Sequence, residues 1–289
     1  MSVGWILGIA VVLVVGFILD REIYFYEGTH LGPRVQAWLY DRWSEKYDVG
    51  KRESQLRDAE MLARPLMDLL NGINQPFILD FATGTGRLSF VLLSQAAFNG
   101  HIIALDLSQG MLERAAAKLK SAALTGTAES AGASRLPKVE LIRHQTLPLP
   151  FPDAAFDVVC ALEVLELFPS MDEPLAEFAR VLRPGGVLLT SRGTEESGRK
   201  AKVKSKTAFG SLLKQHGFEQ FEITRWWKLF DRVIAGKDGS SEEVGVRTLS
   251  AALLCPQCGQ TQWRQQPGLL KCQPCGRELS ITREGIVLC

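Results

Sequence analysis

The chain has 289 residues, 46% of them apolar and 22% charged, with 33 lysines and arginines against 32 aspartates and glutamates. That composition excludes a disordered polar chain. The near balance of charge excludes a global field that would draw nucleic acid, so such a partner would need a local basic patch.

From the N-terminus, VGWILGIAVVLVVGFIL (Val3 to Leu19) carries no charge over 17 residues. A helix of that length covers roughly 25 Å, slightly short of a bilayer core. Trp5 near one end and Tyr24, Phe25 and Tyr26 beyond the other suit the two headgroup levels. The expectation is a transmembrane anchor over residues 1–22. It is preferred to a cleaved signal peptide, because a basic leader and a small-x-small cleavage site are lacking, and to a buried core helix. Arg21, Arg34, Arg42 and Lys46 all follow the span, which predicts a single-pass membrane protein with the rest of the chain on the cytoplasmic face. Residues 23–72 read as amphipathic helices.

Residues 73–237 alternate short apolar runs with helical patterns. PFILDFA, HIIALD, KVELIR, FDVVCAL and GVLLTS read as strands, separated by segments such as SQGMLERAAAKLK. This is the rhythm of a parallel sheet covered on both faces. Two further strands, FEQFEIT and KLFDRVIAG, are separated only by Arg225, Trp226 and Trp227. So short a link forces them antiparallel.

The first of these strands runs into ILDFATGTGRLS, with Gly84 and Gly86 one residue apart. A dinucleotide fingerprint wants a third glycine where Ser89 stands, and a hydride enzyme would also want a second nucleotide-binding half. Asp106 falls at the tip of the second strand, 20 residues after Gly86. A carboxylate there can take both hydroxyls of a ribose.

Residues 238–250 read as a polar linker and 251–289 as a small separate unit. In it, Cys255-Pro-Gln-Cys258 and Cys272-Gln-Pro-Cys275 are separated by 13 residues. Two such knuckles can place four thiolates at the corners of a tetrahedron, which suits a structural zinc ion. A pair of disulfides would need an oxidising compartment, at odds with the predicted topology.

Five stretches, in order, carry a resemblance: YDRWSEKYD, LDFATGTGRLS, IALDLSQGMLERA, LPFPDAAFDVVCALEVLELF and EFARVLRPGGVLL. Together they resemble the class I S-adenosylmethionine-dependent methyltransferases of methyltransferase type 11, similar to those of ubiquinone and menaquinone biosynthesis. The resemblance implies an α/β fold, a seven-stranded Rossmann-like sheet with an antiparallel last hairpin, beside the N-terminal transmembrane helix and the C-terminal ribbon.

It also implies that Asp80, Ala82, Thr83, Gly84 and Gly86 line the methionine end of S-adenosylmethionine. Asp106 would hold the ribose, Leu107 and Met111 the adenine. Gln145, with Thr146, stands where the family has an aspartate for the adenine amino group, and a glutamine oxygen can accept the same hydrogen bond. Ala161 completes the set, and Tyr47 resembles the residue that closes over the methyl group. In-line transfer by SN2 asks mainly for proximity. If a base is needed, Glu163 and Glu166 are the nearest carboxylates, although LEVLE reads equally as an ordinary helix opening.

The resemblance points to a small-molecule or lipophilic acceptor. The cysteine unit resembles the zinc-ribbon activators of methyltransferases that act on tRNA and translation proteins, which supports RNA or protein as the alternative substrate. The basic run Arg199, Lys200, Lys202, Lys204 and Lys206 could meet anionic headgroups or phosphates, or form a solvated loop. A third reading is a membrane-tethered scaffold that binds the cofactor without turnover.

Overall fold

The computed structural model describes residues 3–124, 138–197, 203–245 and 247–289. Arg199, Lys200 and Lys202 of the basic run lie outside them.

Helix α1 (Val3–Asp20) gives way to a π turn (Arg21–Phe25) bearing Arg21 and Glu22. Its 18 residues cover about 27 Å, against a hydrocarbon core of roughly 30 Å. Among the described residues no helix is long and apolar enough to cross a membrane. That finding overturns the expected transmembrane helix and single-pass membrane protein, and the cytoplasmic-face assignment, which depended on the span, falls with them.

Helix α2 (Pro33–Gln55) starts with Pro33 at its first position, where the missing N–H would have had no helical partner. A second π turn (Ala59–Ala63) and α3 (Arg64–Leu69) lead to the central sheet. There β1 (Phe77–Phe81), α4 (Arg87–Leu93), β2 (His101–Asp106), α5 (Gln109–Leu124), β3 (Lys138–Arg143) and β4 (Phe156–Ala161) alternate. They are followed by α6 (Asp172–Val181), β5 (Leu182–Gly193), α7 (Lys206–Gln215), β6 (Phe218–Arg225) and β7 (Phe230–Lys237). β1, β2 and β4 are buried at every position, as parallel strands covered on both faces must be. β7 runs antiparallel to both its neighbours.

The last elements are α8 (Leu249–Ala252), β8 (Trp263–Gln266), β9 (Leu269–Cys272), β10 (Glu278–Ser280) and β11 (Ile286–Leu288). β8 to β10 form a small antiparallel sheet. Among the described residues the main sheet has eight strands rather than the expected seven, in the order β11-β3-β2-β1-β4-β5-β7-β6. The eighth is β11, which leaves the cysteine unit and pairs parallel to β3, with Ile286 opposite Leu141 and Leu288 opposite Arg143. Three residues give a sequence reader no period to detect.

The segment 238–250, expected as a polar linker, is held to the core at two of its described residues. The Val244 N–H donates to Asp157 Oδ1 (3.0 Å) and the Leu249 N–H to Glu140 Oε2 (2.8 Å). Beyond it, the Leu254 N–H donates to the Pro150 carbonyl at 2.8 Å. Leu253, Trp263, Leu270 and Leu279 join the apolar cluster that holds Leu149 and Phe151. The cysteine unit and the sheet therefore share one core.

Candidate functional site

The sheet order reverses between β1 and β4, and ligands of open α/β sheets lie outside the carboxyl ends of strands at such a point. At the end of β1 the chain turns through positive φ at Ala82 (+53°), Gly84 (+57°) and Gly86 (+77°). A side chain on Gly84 would point toward the Tyr47 ring, whose Cε1 would lie 3.8 Å away. Gly86 has a different reason: an added Cβ would come within 3.2 Å of Ala115 Cβ, so it permits close packing of the loop on α5. Ala82 adopts the left-handed conformation without being glycine, a strained state of the kind that clusters at functional sites.

Two carboxylates organise this turn. Asp80 accepts from the hydroxyls of Thr83 (2.6 Å) and Ser89 (2.9 Å). Ser89, standing where a third glycine would be, thus braces the loop from within. Asp106 accepts from the Gly84 N–H (2.8 Å, Oδ2) and the Ser108 N–H (2.8 Å, Oδ1). Burial raises both carboxyls to about 6, against the hydrogen bonds that pull them down.

Helix α2 lies over the loop, held by carboxylates two helical turns apart. Asp41 accepts from the Ser108 hydroxyl (2.6 Å) and the Gly110 N–H (2.8 Å) at the start of α5. Asp48 accepts from the Thr85 hydroxyl (2.6 Å) and pairs with Lys118 (2.8 Å). An added Cβ at Gly110 would meet the Asp41 backbone at 3.1 Å, so its lack of a side chain lets the two helices approach. On the cavity side α2 presents Tyr40 and Tyr47, ring centroids 6.4 Å apart. Burial, first of all, raises both phenols above their ordinary range, Tyr40 the further, so both remain protonated at neutral pH.

Beyond β4, Glu163 also has positive φ (+56°). Its N–H donates to the Ser191 hydroxyl at 2.7 Å. Its carboxylate binds Lys51 Nζ (2.5 Å) and Arg87 (2.8 Å), and Arg87 also grips Asp58 through two hydrogen bonds. Lys51 thus ties α2 to the end of β4.

Between these parts lies a cavity of 460 Å³. Of the positions expected to touch the cofactor, Tyr47, Ala82, Gly84, Asp106, Leu107, Met111, Gln145 and Thr146 line it. Asp80, Thr83, Gly86 and Ala161 are buried and stand outside the lining. Glu163 faces the cavity. Glu166 does not: its Oε1 accepts from the Gly193 N–H at 2.5 Å, and burial raises its carboxyl to about 7. Tyr40, Phe81 and Leu105 line the cavity without having been singled out from the sequence. Tyr40 and Tyr47, like Asp41 and Asp48, are seven residues apart, which sets each pair on one helical face; that spacing was the available signal.

S-adenosylmethionine fits this lining. The desolvated Asp106 carboxylate meets only backbone amides at its oxygens and retains lone pairs for two hydroxyls. The cradle at Gly84 leaves room that a side chain would fill.

In the C-terminal unit, Cys255, Cys258, Cys272 and Cys275 bring their sulfurs within 4.8 Å of one another. Cys255 to Cys275 and Cys258 to Cys272 are both 3.6 Å apart. A tetrahedral zinc–thiolate site has sulfur–sulfur edges of about 3.8 Å, so the cluster fits such an ion. Cys160 is buried in β4 and Cys289 stands apart from the cluster.

Residues 79–190 match the family model of a methyltransferase domain. The chain is similar to a demethylmenaquinone methyltransferase of Symbiobacterium thermophilum, 30% identical over 148 residues covering 51% of this chain and 55% of that protein. It is 31% identical over 153 residues to the same-named protein of Lactococcus lactis, covering 53% and 56%. The chain thus spans about half the length of these curated relatives. A solved structure from Methanococcus maripaludis, proposed to be an S-adenosyl-L-methionine-dependent methyltransferase, superposes with a TM-score of 0.50 at 18% identity over 70% of this chain and 94% of its own. That likeness shows the fold alone. Residues 79–190 are thus similar to a methyltransferase domain, and the chain shares the fold of the superposed structure.

Proposed function

We propose that the protein transfers a methyl group from S-adenosylmethionine to an uncharged, lipophilic or small-molecule acceptor. The observation that carries this reading is the cavity at the switch point of the sheet, where Asp106, the Gly84 cradle and the tyrosines of α2 converge. When bound, S-adenosylmethionine supplies an electrophilic methyl group on a sulfonium. The chain's own residues bind and orient: Asp106 takes the ribose hydroxyls, and Gln145 and Met111 face the adenine. Tyr40 and Tyr47, held protonated, cover the cavity and keep bulk water from it. The names of the curated relatives favour a quinone-like acceptor.

The four cysteines hold a structural zinc in this reading. The cysteine unit buries its apolar face against the sheet, which favours a bracing role over capture of RNA or protein. The test is transfer of a tritiated methyl group from S-adenosylmethionine to lipid, RNA and protein extracts. Label in the lipid fraction supports the proposal; label only in RNA or protein overturns the acceptor class.

A further inference from the structure

Helix α2 lines the larger cavity with Gln36, Tyr40 and Tyr47 and turns its other side to solvent. Along that outward side Val35, Trp38 and Val49 are exposed, Trp38 by 58% and Val49 by 78%, and the exposed Leu56 continues the line at the helix end. Arg34, Arg42, Lys46 and Arg52 stand among them, all exposed. We propose that this outward side of α2 docks on the surface of an anionic lipid bilayer. The surface goes beyond the methyl-transfer reading and rests on it only for the direction from which an acceptor arrives.

The spacing of the residues sets the face. Val35, Val49 and Leu56 are separated by 14 and 7 residues, and Trp38 falls three after Val35, intervals that keep side chains on one stripe of a helix. Arg42 takes the remaining place of the seven-residue repeat. Gln36 and Tyr40 each lie two positions from Trp38, about 200° around the helix. One side of α2 therefore serves the cavity while the other meets solvent.

Charge and spacing choose the occupant. The ion pairs that α2 makes among the described residues come from Glu45, Asp48 and Lys51, which leaves the four outward cations unneutralised. Against them the same side carries Glu45, already bound to Arg114, and Glu53. A second copy of the chain would set these cations against one another. A protein partner favours apolar anchors gathered at one centre, whereas here they are strung over about 32 Å of helix with cations between them. A bilayer interface takes that arrangement, because the tryptophan and aliphatic side chains enter the headgroup boundary while arginine and lysine reach the phosphates. Docking of this kind requires no helix that crosses the membrane. Thr29, Gly32 and Pro33 line the cavity just before α2 begins its outward stripe, beside the exposed Leu31, so an acceptor dissolved in lipid would enter next to the docked face.

The experiment is flotation of the full-length protein with vesicles of phosphatidylcholine alone and of phosphatidylcholine and phosphatidylglycerol in equal parts. The native protein is expected to bind the mixed vesicles more tightly and to lose that preference at high salt. Each cation near an anionic surface contributes about fivefold, so Arg42→Gln combined with Lys46→Gln should weaken binding to mixed vesicles about 25-fold and change binding to neutral vesicles little. Arg34→Gln combined with Arg52→Gln, a second pair on the same side, should act alike, and Trp38→Ser should weaken binding to both vesicle types. All these positions are exposed and α1 is the same in every variant, so S-adenosylhomocysteine affinity measured without vesicles should stay within about twofold and report that the variants are folded. Equal binding of the native protein to both vesicle types, or double variants that bind mixed vesicles as the native protein does, would overturn the docking face. So would a native dimer in ultracentrifugation that Trp38→Ser dissociates, which assigns the face to a second copy, or polyuridylate binding as tight as vesicle binding, which assigns it to nucleic acid. Failure of the native protein to bind S-adenosylhomocysteine is a different result and overturns the cofactor reading instead.

Discussion

The backbone N–H of Cys289 donates to the Arg143 carbonyl at 3.0 Å, one residue before the loop that carries His144, Gln145 and Thr146 along the larger cavity. Through that bond and the pairing of β11 with β3, the cysteine unit props a wall of the candidate cofactor site. Ile286, fully buried in β11, is the place to loosen the prop. Ile286→Ala should cost about 3 kcal/mol of stability, read by urea denaturation, and should weaken S-adenosylhomocysteine binding even where the protein remains folded. Unchanged affinity would mean that the loop holds its place without β11.

Metal removal tests the same coupling from the other end. One zinc per chain is expected by metal analysis, lost in Cys258→Ser. Stripping it with a chelator should unfold the segment around β8 to β10, since zinc-binding free energy is folding free energy in small sites. Hydrogen exchange should then rise in β8 to β10 and at β11. Exchange unchanged in the metal-free protein would show that apolar packing of Trp263, Leu270 and Leu279 suffices.

Asp106 should decide cofactor affinity. Asp106→Ala removes an acceptor for ribose hydroxyls and leaves the Gly84 and Ser108 amides without their partner. The expected loss is about 10- to 100-fold in S-adenosylhomocysteine affinity, the range for a charged hydrogen bond. Calorimetry giving an unchanged dissociation constant would remove Asp106 from the site.

The pH dependence follows from the burial of that carboxyl. Raised to about 6, Asp106 is ionised above pH 6 and protonated below it. An ionised carboxylate accepts the ribose hydroxyls, so affinity should be full above pH 7 and fall about tenfold per unit below pH 6 if binding requires the anion. Stability has the opposite sign. A carboxyl whose folded value is raised contributes stability that is complete below its unfolded value near 4 and lost as pH rises through about 6. The ligand-free protein should therefore lose this contribution between pH 4 and 7, while the ligand's own stabilisation grows, a divergence that melting curves with and without S-adenosylhomocysteine would expose.

Arg87 joins two carboxylates, Asp58 and Glu163, and its guanidinium lies 4.5 Å from the centroid of the buried Trp226 ring. Arg87→Met keeps the stem and removes the charge. Glu163 then keeps only Lys51, and the nearly buried Asp58 loses its cation, which should destabilise the fold by about 3–5 kcal/mol. Denaturation showing less than about 1 kcal/mol would mean that Lys51 alone satisfies Glu163.

Much of the architecture was legible in the sequence because its signals are local. Continuous apolar runs such as FILDF need only their own residues to declare a strand buried on both faces, and a glycine pair followed 20 residues later by Asp106 needs only chain distance. The paired cysteines announce a cluster by spacing alone. What depended on through-space partners was decided by tertiary structure. Lys51 and Glu163 are 112 positions apart, Asp41 meets Gly110 across 69, and Gly193 claims Glu166 from 27 away. β11 is three residues long and becomes a strand only because β3 offers an open edge at the right place. Apolar content alone could not say whether α1 is long enough to span a bilayer, because helix length is set by where the backbone changes course, here at Asp20 into the π turn. Side-chain period is written along the chain, whereas hydrogen-bond and ion-pair partners are chosen by the packed geometry that period makes possible.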